Sequence, residues 1–285
     1  MSERRFVDPR TLLARTGLRP KRSFGQCFLV APPIVENIAA LCVPDEAAPG
    51  SVVEIGAGLG TLTSAILARG ASVAAIERDR DLVPVLAEAL SEDVARGALR
   101  IVEADAATVD LESLLGGGPR PRVLAGNLPY QITGRLLERA VELSRHLDRV
   151  VVMVQREVAD RVVATAGSEA YGRPSVFVQA AFAARRAFVV SAGCFHPRPE
   201  IESAVLVLTP LPIPRAEETE TFRAVVNAAF GARRKTLRNA LARLLCPESV
   251  AAIVALGIDL GRRGETLSVE EFATIARIIE STPRG

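Results

Sequence analysis

Tryptophan is absent from this chain of 285 residues, and tyrosine and histidine occur only twice each. With His146 and His196 alone, histidine-based metal sites and catalytic triads have little material to work with. The four cysteines, Cys27, Cys42, Cys194 and Cys246, are scattered, with no C-x-x-C pair and no nearby histidine cluster. That argues against zinc and against a disulfide framework, and suits a reducing cytoplasm. No metal is expected. No apolar run approaches the roughly 20 residues of a membrane helix, so no span is expected either. Residues 1–10 are basic without a following apolar stretch, unlike a secretory signal. Residues 9–35 are acid-free and arginine-rich like an organelle transit peptide, but they contain a functional motif, described below, that cleavage would remove.

What is present is ordinary in amount and uneven in placement. A hydrophobic share of 49% and a charged share of 24% belong to a globular chain with a sizeable core. The length suits one full-size α/β domain plus a small appendage. The net charge of +2 does not by itself announce a nucleic-acid binder. However, Arg10, Arg15, Arg19, Lys21 and Arg22 form one acid-free basic block, and Arg233, Arg234, Lys235, Arg238 and Arg243 form another. Two such patches are compatible with gripping phosphates at chosen places, although either block alone reads as solvated surface.

Short β-branched runs alternate with helical patterns. Residues 51–55, 72–77, 99–104, 122–125 and 150–154 read as strands, and 61–69 and 81–90 as helices. Gly70 closes the first of these helices, and Pro84 is tolerable in the first turn of the second. Thr133 is placed to cap a helix carrying Leu136, Leu137, Ala140, Val141 and Leu143 on one face. This rhythm predicts a parallel, doubly wound Rossmann-like sheet. After Gly172 the rhythm changes to a helix over 175–183 and strands over 187–191 and 204–208. Pro210, Pro212 and Pro214 then form a stiff linker. Beyond it, helices are expected over 217–230, 233–245, 247–255 and 269–279. The chain is therefore divided into an α/β domain over 1–211 and a small all-helical domain over 212–285.

The string Glu54-Ile55-Gly56-Ala57-Gly58-Leu59-Gly60 sits where a strand turns into a helix, and its glycines allow a ligand close to the backbone. Alone it fits a plain turn or a dinucleotide site. Its G-x-G-x-G spacing differs from the G-x-G-x-x-G that places a pyrophosphate on a helix N-terminus. Glu77 ends the second strand, where a carboxylate can accept from both ribose hydroxyls, and Asp105 follows the third, where one can accept from an adenine amine. Such acids suit a sulfonium cofactor and would repel a pyrophosphate.

The fourth strand leads into Asn127-Leu128-Pro129-Tyr130, a position that in an open α/β sheet lies directly over the cofactor. The amine of adenine is a poor nucleophile because its lone pair is drawn into the ring. A useful site accepts both amine hydrogens while nitrogen becomes tetrahedral. Asn127 offers a side-chain oxygen, and Leu128 a carbonyl held outward by Pro129. Tyr130 offers a ring on which a flipped base can stack, worth ~1–3 kcal/mol. The plainer alternative is a turn with a buried tyrosine.

On these motifs the sequence resembles the ribosomal RNA adenine dimethyltransferase family, from about Lys21 to the C-terminal helices, and is most similar to its bacterial small-subunit members, known through kasugamycin sensitivity. Phe24-Gly25-Gln26-Cys27-Phe28-Leu29 is similar to the family's F-G-Q-N-F-L motif. Phe195-His196-Pro197-Arg198-Pro199 opens a segment like its F-x-P-x-P-x-V-x-S-A-V, and Arg233-Arg234-Lys235-Thr236-Leu237-Arg238-Asn239 matches its R-R-K-T-L-R-N stretch. The resemblance implies a Rossmann-like methyltransferase that uses S-adenosylmethionine. Its cofactor contacts fall at Gln26, Cys27, Leu29, Gly56, Gly58, Glu77, Asp105 and Asn127. Asn127, Leu128, Pro129 and Tyr130 form the catalytic turn, with Phe195 clamping the base opposite Tyr130. It further implies dimethylation of two adjacent adenosines in a hairpin loop near the 3′ end of small-subunit (16S) rRNA, late in assembly of an immature small subunit, by a cytoplasmic monomer. Lys21, Arg22, Arg233, Arg234, Lys235 and Arg238 are the candidate RNA contacts. Position 27 is asparagine in the family pattern. A thiol cannot replace an amide's donor and acceptor, so contact there is expected to fall back on the backbone, with weaker binding.

Three rivals fit less well. Resistance methyltransferases acting on a large-subunit adenosine usually read N-I-P-Y at the turn and lack the R-R-K-T-L-R-N stretch. A non-catalytic RNA-binding assembly factor has no need of Glu77, Asp105 and Asn127–Tyr130. A nicotinamide oxidoreductase leaves the Asn127 turn unexplained.

Overall fold

The β-branched runs line up as expected, and the computed structural model describes residues 6–129, 131–232 and 234–282. The strands in chain order are β1 (Phe28–Leu29), β2 (Ser51–Ile55), β3 (Ser72–Glu77), β4 (Leu99–Glu103), β5 (Arg122–Asn127), β6 (Arg149–Gln155), β7 (Phe182–Val190), β8 (Phe195–His196) and β9 (Ser203–Pro210). Seven of them form one sheet in the order β4-β3-β2-β5-β6-β9-β7, while β1 and β8 make a separate antiparallel pair. Strands β2 to β6 are mutually parallel, whereas β9 runs antiparallel to β6. The sheet is thus mixed at one edge. Between β7 and β9 the chain carries a 3-10 turn at Ala192–Cys194 and β8, and no α-helix. Residues 203–208 of β9 are all buried, which is why this strand reads as a continuous apolar run without alternation.

The helix Thr133–Glu142 buries Leu136, Leu137, Ala140 and Val141, the face its spacing predicts. Thr133 does not cap it. Ile132 holds the cap position, and the Thr133 hydroxyl donates to the Pro129 carbonyl four residues back at 3.1 Å, tying the helix to the turn before it.

The chain forms two compact units. The first runs to Ala159 and resumes over Arg185–Pro210; the second combines Asp160–Ala184 with the chain from Leu211 onward. Residues 160–184, expected in the α/β domain, lie with the helices because Tyr171, Val176 and Ala180 share a core with Phe222, Phe230 and Phe272. In that unit the helix expected over 233–245 shrinks to Leu237–Ala240. The Leu237 and Arg238 N–H groups donate to the Arg262 and Leu260 carbonyls, so no helical turn precedes them, and Pro247 opens the next helix. Among the described residues, no helix is long and apolar enough to cross a membrane.

Candidate active site

The C-terminal ends of β2, β3, β4 and β5 open into one cavity, at the point where the order of the parallel strands reverses around β2. Gly56, Gly58, Glu77 and Asp105 line it from the strand ends, and Asn127, Leu128 and Pro129 from the turn after β5. The N-terminal motif supplies Gln26, Cys27 and Leu29, so the cavity brings together motifs about 100 residues apart in sequence. Tyr130 and Arg233 lie outside the described residues, as does the Arg22 side chain.

The glycine loop is built around Glu77. Gly58 adopts φ +58°, and a side chain there would press on the Phe28 ring at 3.2 Å. Its N–H donates to Glu77 Oε2 at 2.8 Å, and Asp79 N–H donates to Oε1 at 2.8 Å. Each carboxylate oxygen keeps one further lone pair, so the group can hold the loop and still accept from a ligand. Burial raises its proton affinity, and the backbone hydrogen bonds oppose that rise.

Glu54 adds a second buried carboxyl to the same cavity, accepting from the Thr63 hydroxyl at 2.6 Å. Burial pushes its pKa up to about 8, the Thr63 bond lowers it, and the Glu77 charge raises it. A folded-state pKa above the usual carboxylate value means the proton stays on through neutral pH when the cavity is empty. A ligand carrying positive charge favours the anion and displaces that proton. Cofactor affinity is therefore expected to rise with pH up to about 8, by at most about tenfold per unit, and then level off. Titration calorimetry across that range checks this. Glu54→Gln should flatten the slope, and an unchanged slope in that variant would assign the proton elsewhere.

Asp105 uses Oδ1 to accept from Ala107 N–H at 2.8 Å, and its Oδ2 lies 3.4 Å from the Arg78 guanidinium. Asn127 lines the cavity, and its Nδ2 donates to the Cys27 carbonyl at 3.0 Å, so Oδ1 is the end of the amide that can still accept. The close approach of β2 and β5 needs Gly126, where a Cβ would lie 2.3 Å from the Ile55 carbonyl oxygen. Leu128 donates its own N–H to the Met153 carbonyl at 3.0 Å.

Two expected residues, Phe195 and Lys21, have other surroundings, and Gln26 lines the cavity with its amide already engaged. Phe195 is 4% exposed, packed in the core that contains Leu29, its partner across the β1–β8 pair, and it does not line the cavity. The structure therefore gives this ring a packing task, set by the antiparallel pairing that buries it. Lys21 bridges Asp79 and Asp81, each at 2.6 Å, so its ammonium is already paired. The Gln26 amide is occupied within the protein at both ends, by Lys21 N–H and by Asp79. Arg234, Lys235 and Arg238 are exposed. Glu54 and Phe24 belong to motifs the sequence shows, whereas Asp79 and Arg78 stand out only in the structure. The Phe24 ring lies on the cavity wall with the Lys21 ammonium 5.5 Å and the Arg78 guanidinium 5.3 Å from its centre. The one sequence signal for Asp79 and Arg78 was the charged triplet Glu77-Arg78-Asp79 ending a strand beside a glycine loop. Among the described residues, no group of three or more His, Cys, Asp or Glu is placed to hold a metal.

A family model described as ribosomal RNA adenine dimethylase matches residues 17–281. The ribosomal RNA small subunit methyltransferase A of Anaeromyxobacter sp. (strain K) is 42% identical over 287 residues, covering 96% of this chain and 98% of that protein. Its namesake in Myxococcus xanthus is 42% identical over 279 residues, covering 95% of each. Among solved structures, a dimethyladenosine transferase from Plasmodium falciparum has the same fold, with a TM-score of 0.74 at 21% identity, covering 87% of this chain and 95% of that one. The 23S rRNA methyltransferase ErmE superposes with a TM-score of 0.65 at 24% identity, over 89% and 100%.

Proposed function

This chain belongs to the ribosomal RNA adenine dimethylase family, and on that premise we propose that it dimethylates the N6 amines of two adjacent adenosines in a hairpin loop near the 3′ end of small-subunit (16S) rRNA. S-adenosylmethionine is its methyl donor, and the preferred substrate is an immature small subunit in the cytoplasm, met by a monomeric enzyme. The observation that carries the chemistry is the bond from Asn127 Nδ2 to the Cys27 carbonyl, which fixes the amide and leaves its oxygen to serve the target base.

The residues present fit the donor. Two buried carboxyls, Glu54 and Glu77, suit a ligand that brings positive charge and ribose hydroxyls, and the glycine loop leaves room for it against the backbone. Glu77 would hold the ribose, Asp105 the adenine amine, and Gly56 and Gly58 the body of the molecule. When bound, the donor supplies an electrophilic methyl group on a sulfonium. Asn127 Oδ1 and the Leu128 carbonyl accept the target amine's hydrogens and orient its nitrogen, and the ring of Tyr130 stacks on the base. Once methylated, the nitrogen is acidic enough to give up its proton to water, so no side chain need act as a base. Arg234, Lys235 and Arg238, exposed on the helical unit, are suited to RNA phosphates.

Cys27 lines the cavity, and burial pushes its thiol pKa up, so it stays a neutral thiol with little hydrogen-bonding capacity. Cys27→Asn is expected to lower the cofactor dissociation constant by about fivefold, the worth of one added hydrogen bond. Calorimetric titration measures it, and no change would mean that side chain 27 does not reach the cofactor.

The function is tested by offering labelled S-adenosylmethionine with undermethylated small subunits and, separately, undermethylated large subunits. Label in the small subunit alone is expected. Label in the large subunit would move the chain to the resistance type, and bound cofactor with no transfer would indicate a binding role.

A further inference from the structure

Asp79 follows β3 just beyond Glu77, and its side chain is 2% exposed. Its Oδ1 accepts from Lys21 Nζ at 2.6 Å and from Asp81 N–H at 3.1 Å, and its Oδ2 accepts from Gln26 Nε2 at 2.7 Å. Gln26 Oε1 in turn accepts from Lys21 N–H at 2.8 Å, which closes the segment 21–26 on itself. Burial works against charge on Asp79, yet the hydrogen bonds from Lys21 and Gln26 outweigh it and hold the carboxyl below its usual range. The residue after Gln26 is Cys27, whose carbonyl accepts from Asn127 Nδ2.

A side-chain amide has two orientations of nearly equal shape that exchange oxygen for NH2. The Cys27 carbonyl selects between them. It accepts from NH2 and repels an oxygen, so it fixes Asn127 with Oδ1 toward the cavity. A loosened 21–27 segment would let the amide turn over and present NH2 to an amine that is itself a donor. We propose that Asp79 is a positioning residue for methyl transfer, holding through Lys21 and Gln26 the segment whose Cys27 carbonyl orients Asn127. The inference rests on the reading of Asn127 as acceptor of the amine hydrogens.

The test uses the full chain with undermethylated small subunits in excess, so that RNA affinity does not limit the rate. Three quantities are read: the single-turnover rate, the dissociation constant of S-adenosylmethionine, and hydrogen exchange over residues 21–29 without ligand. Asp79→Asn keeps the shape and removes the charge. Lys21→Met loosens the tether from the solvent side, should the first variant fold poorly, and Lys21→Arg restores a cation. Asp79→Asn and Lys21→Met are expected to speed exchange over 21–29 and to slow transfer by about tenfold, while cofactor affinity changes far less. Lys21→Arg should stay near the parent rate. Asn127→Asp can no longer donate to Cys27, so adding Lys21→Met to it should cost nothing further. A further tenfold loss in that double variant, or a loss of cofactor affinity matching the loss of rate, overturns the tether. A parent-like rate in Asn127→Asp alone overturns the reading of Asn127, and the tether proposal with it.

Discussion

Asn127→Ala is expected to lower the single-turnover rate of methyl transfer by about 10²–10³-fold, the loss typical when one preorganised polar group is removed from a reacting centre. The oxygen proposed to accept an amine hydrogen disappears, and the Cys27 carbonyl loses the donor it faces at 3.0 Å. The carboxylates proposed to hold the cofactor, Glu77 and Asp105, stay in place, so its dissociation constant should rise by no more than about tenfold, the worth of a hydrogen bond or two. Quenched single turnovers on undermethylated small subunits give the rate, and calorimetry gives the affinity. A rate loss explained entirely by weakened cofactor binding would make Asn127 a ligand of the cofactor and not of the target base. A rate close to that of the parent would remove the turn after β5 from the chemistry.

Glu77→Ala is expected to be the most damaging change at the cofactor itself. It orphans two backbone donors, Gly58 N–H and Asp79 N–H, in a place where the residue is 7% exposed. Each unsatisfied donor costs about 1–3 kcal/mol, so stability should fall by about 2–6 kcal/mol, less whatever entering water recovers. Because the same carboxylate shapes the glycine loop and faces the cavity, the cofactor dissociation constant should rise by at least about 100-fold. Glu77→Gln should fall between, since its amide NH2 meets one of the two donors head on. Thermal melts with and without S-adenosylmethionine separate the two effects. If Glu77→Ala melts lower but binds the cofactor as the parent does, the carboxylate is a brace for the loop and nothing more.

The parts of this site that were legible in the sequence are those where local chemistry dictates geometry. The run 51–55 must be a buried strand, the glycines after it must turn, and acids at successive strand ends must share one rim of a parallel sheet. The proline after Leu128 likewise fixes a local conformation. What escaped depends on partners far away in the chain. The Lys21–Asp79 pair spans 58 residues and the Asn127–Cys27 bond 100, and neither has a periodicity to betray it. Gln26 lines the cavity as expected, but its bond to the Asp79 carboxylate, 53 residues away, was not legible. Phe195 reads as a base clamp until the β1–β8 pairing buries it. A helix is expected over 233–245, but carbonyls of residues 260 and 262 take the N–H groups at the start of Leu237–Ala240. Residues 160–184 carry no local sign that their core partners lie beyond residue 215.

The most direct test of the central claim is the nucleoside content and position of methylation in small-subunit rRNA, after undermethylated small subunits are incubated with this protein and S-adenosylmethionine. The account predicts N6,N6-dimethyladenosine at two adjacent positions of the 3′ hairpin loop, and its loss with Asn127→Ala. Methyl groups on ribose, on another base or on a ring nitrogen of adenine would contradict it, because the roles proposed for Asn127 Oδ1 and the Leu128 carbonyl require an exocyclic amine.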